Sequence, residues 1–263
     1  MLIPTLDDYS KKYEHIKFQR EDGILQLTLH SEGQDLVWGF APHQELGYCF
    51  ADIAADPDNK VIILTGAGET FIHKEDLGGG SGVTAKVWAE HVLPDAKRLL
   101  TNLLEIQAPM IAAVNGPATV HAELALLCDI VLAADHSTFQ DAPHYPSGLV
   151  PGDGVHVVWP MLLGLNRARY FLLTGQILSA QQALDLGVVN EVLPQAALLQ
   201  RAWELARIVR ARPALTTRLT REAMLIQVKR AMLEALPYGL ALEGLAACDF
   251  WPASFAAENI AKR

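Results

Sequence analysis

The chain reads as an α/β fold, with a parallel sheet at its centre and a helical C-terminal region. Three observations carry this expectation. VIILTG (61–66), MIAAVNG (110–116) and DIVLAA (129–134) are nearly continuous apolar runs, the pattern of strands covered on both faces. Stretches of helical spacing alternate with them, as crossovers between parallel strands require. From about residue 154 the pattern is mostly helical.

Taken in order, GILQLTLH (23–30) alternates apolar and polar side chains, as a half-buried strand does. A helix is predicted over 43–55, ahead of the strand at 61–66. LGGGSG (77–82) lacks the GK[ST] sequel of a phosphate-binding loop and reads as a flexible loop beside a site. A longer helical stretch covers 84–107, and Pro94 is expected to kink or divide it. After the strands at 110–116 and 129–134 comes a short one, VVNEVL (188–193). In SAQQALDLG (179–187) a serine N-cap and a terminal glycine bound a helix. The segment 195–212 gathers basic residues at its C-terminal end, where the helix dipole favours them. A last helical region, 213–248, runs into the aromatic stretch DFWPASF. Such a tail either packs on its own core or covers a neighbouring subunit. We divide the chain into a core of residues 1–195 and a helical C-terminal region of residues 196–263.

Composition narrows the function classes. With 263 residues, 51% hydrophobic and 19% charged, the chain is long enough to bury a substantial core. A net charge of −9 argues against nucleic acid as a partner, since phosphate polymers need a basic face. Cys49, Cys128 and Cys248 are widely spaced and form no CxxC pair, so neither a structural zinc site nor a disulfide framework is expected. The first residues hold early acids and no long apolar run. A soluble, cytoplasmic protein without a membrane partner is the expectation.

The chemistry-bearing residues concentrate in two stretches. In DAPHYPSGLVPGDG (141–154), His144 lies between two prolines and Asp153 between two glycines. A histidine, with its ordinary pKa near 6.5, suits general-base work at neutral pH. Asp153 would orient the ring and stabilise the imidazolium, or else serve only a turn. In GPATVHAEL (116–124), His121 precedes the apolar stretch AELALLCD. A helix N-terminus there would favour an anionic oxygen; the other reading is a partly buried histidine satisfied by backbone. Trp38 has an N–H able to bond a carbonyl, or is a core tryptophan. His43 opens an amphipathic stretch, either as a site residue or as a polar helix start. Glu243 interrupts the apolar GLALEGLAA (239–247), paired with a site histidine or lying on an exposed face.

The ordered series VIILTGAGETFIHKEDL, IAAVNGPA, AELALLCDIVLAAD, GLVPGDG and LLTGQILSAQQALDLGVVNEVL resembles the crotonase (enoyl-CoA hydratase/isomerase) superfamily over about residues 13–230. The resemblance implies a spiral of ββα units, a helical C-terminal region, and a homotrimer or dimer of trimers. Two departures stand out. VHAEL replaces the glycine-rich stretch whose backbone N–H helps hold a thioester enolate, and FIHKEDL lacks the glycine of the first oxyanion loop. Glu123 matches a catalytic glutamate of the hydratases, and His144 stands where their second acid is expected. Glu123 is then structural or a remnant acid near the site.

The departures, with DAPHYPSGLVPGDGVHVVWP (141–160) and GLALEGLAA, are similar to a branch that hydrolyses β-diketones. That resemblance implies catalytic roles for His144, Asp153, His121 and Glu243, and substrate binding by Trp38 and His43. The implied partner is a small cyclic diketone, with neither metal nor organic cofactor. Water adds to one carbonyl, the C–C bond breaks in a retro-Claisen step, and the second carbonyl receives the electrons as an enolate. The alternative reading is a CoA-dependent hydratase, isomerase or acyl-CoA hydrolase.

Overall fold

The computed structural model describes residues 3–76 and 83–250; the LGGGSG segment and the tryptophan and phenylalanine of the aromatic tail beyond Phe250 lie outside them. A short helix, α1 (Leu6–Tyr9), leads into strands β1 (Ile16–Glu21) and β2 (Ile24–Leu29). Then come β3 (Val37–Trp38), α2 (Phe40–Ala55), β4 (Val61–Gly66) and β5 (Lys74–Glu75). Helix α3 (Ala85–Val87), a π-helical turn (Trp88–Val92) and α4 (Leu93–Glu105) precede β6 (Met110–Val114). They are followed by α5 (Glu123–Leu126), β7 (Ile130–Ala134), β8 (Thr138–Phe139), α6 (Val155–Leu163) and α7 (Leu165–Thr174). The last elements are β9 (Leu178–Ser179), α8 (Ala180–Asp185), β10 (Glu191–Leu193), α9 (Gln195–Arg210) and α10 (Ala214–Phe250).

The main sheet has six strands in the order β1-β2-β4-β6-β7-β10. Only β1 runs antiparallel to its neighbour. The three apolar runs are the central strands, and their side chains divide between two cores. Ile62, Leu64 and Met110 pack with Leu46, Phe50 and Leu103 of α2 and α4. Val61, Ile63 and Ile111 pack with Leu198, Ala202 and Ala206 of α9. Burial on both faces is why these runs lack polar alternation.

Elsewhere the structure refines the sequence reading. Helix α2 begins three residues earlier than the predicted 43, and only the last half of VVNEVL pairs as a strand. Pro94 does not break its helix; the chain passes through the π turn and places the proline in the first turn of α4, where a missing N–H costs nothing. Ser179 caps α8 in a capping box with Gln182, as its sequence signals. Residues 214–250 form one 37-residue helix, α10. By length and composition α10 could cross a membrane. It instead turns Arg221, Leu225, Met232, Leu240 and Glu243 into the protein, and it packs against α4 and α6.

Two close approaches settle how α10 meets the site. A Cβ on Gly239 would fall 2.3 Å from His156 Cε1 and 2.5 Å from the carbonyl oxygen of Gly152. A Cβ on Gly152 would fall 2.2 Å from the carbonyl oxygen of Gly239. Glycine on both sides lets the helix backbone touch the P-G-D-G turn, which brings Glu243 beside Asp153. His156 adds to this seam, donating from Nε2 to the Ala235 carbonyl at 3.2 Å.

Candidate active site

All six residues singled out in the sequence line one cavity of about 530 Å³: Trp38, His43, His121, His144, Asp153 and Glu243. They arrive from separate elements. Trp38 ends β3, whose parallel pairing with β5 sets it opposite Glu75. His43 lies in the first turn of α2, and Glu243 reaches in from α10. His144 precedes a 3-10 turn, and Asp153 precedes α6, whose N-cap Gly154 has φ +111°.

His144 is buried, and both of its ring nitrogens meet acids. Nδ1 lies 2.5 Å from Asp141 Oδ1. Nε2 faces the cavity, 3.3 Å from Asp153 Oδ2 and 3.7 Å from Glu243 Oε1. The acid that orients the ring is therefore Asp141, and the expected partner Asp153 sits at the cavity-facing nitrogen. The physical reason is local: the turn begun at Pro143 folds His144 back over the residue three positions earlier. Burial opposes charging of His144, but Asp141 and Asp153 outweigh it and hold its pKa well above the usual 6.5. For Asp153, burial favours the neutral acid, yet His144 and His121 pull its pKa below the usual value. Burial pushes Glu243 up to about 7, against the pull of His144.

His121 sits beside them in a left-handed backbone conformation, φ +46°. That region is uncommon for a residue with a side chain. The chain thus keeps a glycine-like backbone where VHAEL replaces the family's glycines, and uses it to aim an imidazole into the cavity. Nδ1 of His121 lies 2.6 Å from Glu123 Oε1 and 3.4 Å from Asp153 Oδ2. Burial opposes protonation, but Glu123 overrides it and raises the His121 pKa to about 9. The expected helix at AELALLCD is only the four residues of α5, too few for its dipole to dominate; the Glu123 carboxylate supplies the local field. Glu123, left open by the sequence, is fully buried as this partner.

The aromatic wall completes the arrangement. The Trp38 and His121 ring centroids are 4.3 Å apart, and those of Trp38 and His43 are 5.5 Å apart. His43 Nδ1 lies 2.7 Å from Asp95 Oδ2, and Arg98 holds the other oxygen of that carboxylate. Burial lowers the His43 pKa despite Asp95, leaving a neutral ring beside the His121 imidazolium. Glu75 also lines the cavity, and burial raises its pKa.

Three acids at the cavity or bonded to its residues, Asp141, Asp95 and Glu75, escaped the sequence reading. Asp141 carried a signal, an acid three residues before a histidine across a proline. Asp95 carried none, since only the packing of α4 on α2 brings it to His43, 52 residues away. Glu75 lay hidden in FIHKEDL as one charge among several.

Comparison with known proteins agrees with the fold. A sequence model for enoyl-CoA hydratase/isomerase matches residues 19–242. The chain belongs to the enoyl-CoA hydratase/isomerase family. It is an enzyme of this crotonase superfamily. A carnitinyl-CoA dehydratase from Citrobacter koseri is 34% identical over 201 residues, 74% of each chain. Among solved structures, a β-diketone hydrolase from the cyanobacterium Anabaena, bound to (S)-3-oxocyclohexyl acetic acid, superposes with a TM-score of 0.89. That structure is 46% identical, covering 92% of this chain and 97% of the other. An enoyl-CoA hydratase/isomerase from Mycobacterium paratuberculosis gives a TM-score of 0.79 at 27% identity, covering 89% and 94%.

Proposed function

We infer that the chain hydrolyses a C–C bond in cyclic β-diketones to give a keto acid. The observation that carries this reading is the His144 ring, clamped at Nδ1 by Asp141 and turned with Nε2 to the cavity beside Asp153 and Glu243. A hydratase working through two glutamates would need an acid at that position.

Once the His144 imidazolium has lost its Nε2 proton, a water on the cavity side of Nε2 and Asp153 gives up a proton to the ring as its oxygen adds to one carbonyl. The tetrahedral oxyanion collapses, the C–C bond breaks, and the electron pair moves onto the second carbonyl as an enolate. His121, kept cationic by Glu123, has its Nε2–H free to stabilise that oxygen. The proton held by His144 then goes to the enolate carbon, with Glu243 placed to relay it. Atoms balance as diketone plus water to keto acid, and the second carbonyl is the only electron sink needed. Trp38 and His43 bound the substrate, and the cavity volume falls in the range for small molecules.

The 46%-identical diketone hydrolase supports the same reading, and the molecule it holds is itself a keto acid. The curated relatives favour a second one, CoA thioester chemistry, by their names. A direct comparison separates the two: incubate the protein with monocyclic and bicyclic 1,3-diketones, follow loss of the diketone absorbance, and run acyl-CoA substrates in parallel. Diketone loss that falls about 10²–10⁴-fold in His144→Ala is expected. Turnover of acyl-CoA with no diketone cleavage would reject the proposal.

A further inference from the structure

The spacing around His144 Nε2 suits a metal ion better than it suits hydrogen bonds. Charge-assisted N–H···O pairs close to about 2.7–2.9 Å, yet Asp153 Oδ2 and Glu243 Oε1 stand at 3.3 and 3.7 Å from Nε2. Two ligand atoms of a tetrahedral Zn²⁺, each about 2.0–2.1 Å from the ion, are about 3.3–3.4 Å apart. The three ligand atoms all lie within 4.8 Å of one another. Two further observations point to a ligand. Glu243 Oε2 and Asp153 Oδ1 are buried and have no hydrogen-bond partner among the described residues. Behind the ring, Asp141 holds Nδ1 at 2.5 Å, the carboxylate–histidine arrangement that orients imidazole ligands toward zinc. The neighbouring set His121, Glu123 and Asp153 differs, because Glu123 already closes on His121 Nδ1 at 2.6 Å.

We propose that His144 Nε2, Asp153 and Glu243 bind one Zn²⁺, with a fourth position open to the cavity, and that zinc there inhibits the enzyme. The ion displaces the Nε2 proton of His144, and two carboxylates and the resulting neutral imidazole cancel its charge, as a buried site requires. Binding occupies the Nε2 lone pair. The inhibitory half of the proposal therefore rests on His144 being the base; the binding half does not.

The experiment reads the halves separately. Titrate the full chain with ZnCl₂ by calorimetry, without substrate, and confirm the metal content after dialysis. One equivalent is expected to bind. His144→Ala should abolish that binding and Glu243→Gln, nearly isosteric, should weaken it at least tenfold. Asp141→Asn should weaken it about 10–100-fold through the ring it positions. Diketone hydrolysis should fall in step with occupancy and return on adding EDTA. Failure to retain one equivalent, or retention unchanged in both His144→Ala and Glu243→Gln, would overturn the site. Zinc bound through His144 with hydrolysis unaffected would overturn inhibition. The base assignment is judged apart, by metal-free turnover of His144→Ala.

Discussion

Replacing Asp141 with asparagine tests how the His144 ring is set. The substitution keeps the side chain's size and removes its charge 2.5 Å from Nδ1, where both residues are buried. A hydrogen bond to a charged group contributes about 1.5–3 kcal/mol, and one pKa unit is about 1.36 kcal/mol. Losing the Asp141 contribution should therefore bring the His144 pKa down by about one to two units. The sign follows from the protonation states. In the native enzyme His144 stays an imidazolium to a pH well above its usual range, so kcat/KM should rise with pH as the base form appears. In Asp141→Asn that acid limb should move to lower pH by the same one to two units. At the plateau kcat should still fall about 10²–10⁴-fold, because the amide can donate to Nδ1 and hold the ring in the tautomer whose Nε2 carries the proton. The assay is a pH–rate profile of diketone loss for both proteins. An unmoved limb with a plateau near that of the native enzyme would refute both the tautomer argument and the role given to Asp141.

Other perturbations reach different parts of the site. His121→Gly deletes the imidazole while accepting the φ of +46°; kcat should drop about 10²–10³-fold, the loss typical of one oxyanion donor, and the melting temperature should fall too because buried Glu123 loses its partner; an undiminished kcat in the folded variant would remove His121 from the chemistry. Gly239→Ala would drive a Cβ to 2.5 Å from the Gly152 carbonyl oxygen. Overpacking of about 1–3 kcal/mol should lower the melting temperature by roughly 2–12 °C at about 2–4 °C per kcal/mol, and should cost kcat by shifting Glu243 from Asp153; calorimetry showing an unaltered transition would contradict the packing described. Stability itself should fall as pH rises from 7 to 9. His121 is raised to about 9 and His144 is raised too, so their contributions are complete below the unfolded value near 6.5 and are lost as pH climbs through the folded values. A melting temperature that held or rose across that interval would show that these rings are not charged in the folded state.

The strands were legible because their physics is local. A run such as VIILTG offers water only the Thr65 hydroxyl, which the Ala113 carbonyl takes instead, so it must be covered on both faces, and α9 and α2 do cover it. Strands β3 and β5 were not, being two residues each and held by a pairing 37 residues apart in sequence. In the site, the histidines stood out because their surroundings were odd: His144 among prolines, His121 where glycines are expected. Their acids did not stand out in the same way. Asp141 belongs to the same motif as Asp153, but a P-G-D-G turn is a strong sequence signal and an acid two residues before a histidine-flanking proline is not. Asp95 became visible only when α4 packed on α2.

That division has a physical basis in how a buried charge cluster is built. An imidazole can occupy a site for its shape, but a buried imidazolium needs a carboxylate close by. His144 and His121 each have one, Asp141 and Glu123, and the neutral His43 ring is held by Asp95. Asp153 is the acid left to be shared, within 3.4 Å of both His121 and His144, and Glu243 stands beside it with its pKa lifted by burial to about 7. The cluster holds more acids than its rings need for pairing. Two of the acids beyond those pairs, Asp153 and Glu243, face Nε2 of His144, where the proposed mechanism takes a proton and returns it. On that mechanism the turn and glycine contacts that hold Asp153 and Glu243 together matter to the chemistry as much as the rings do.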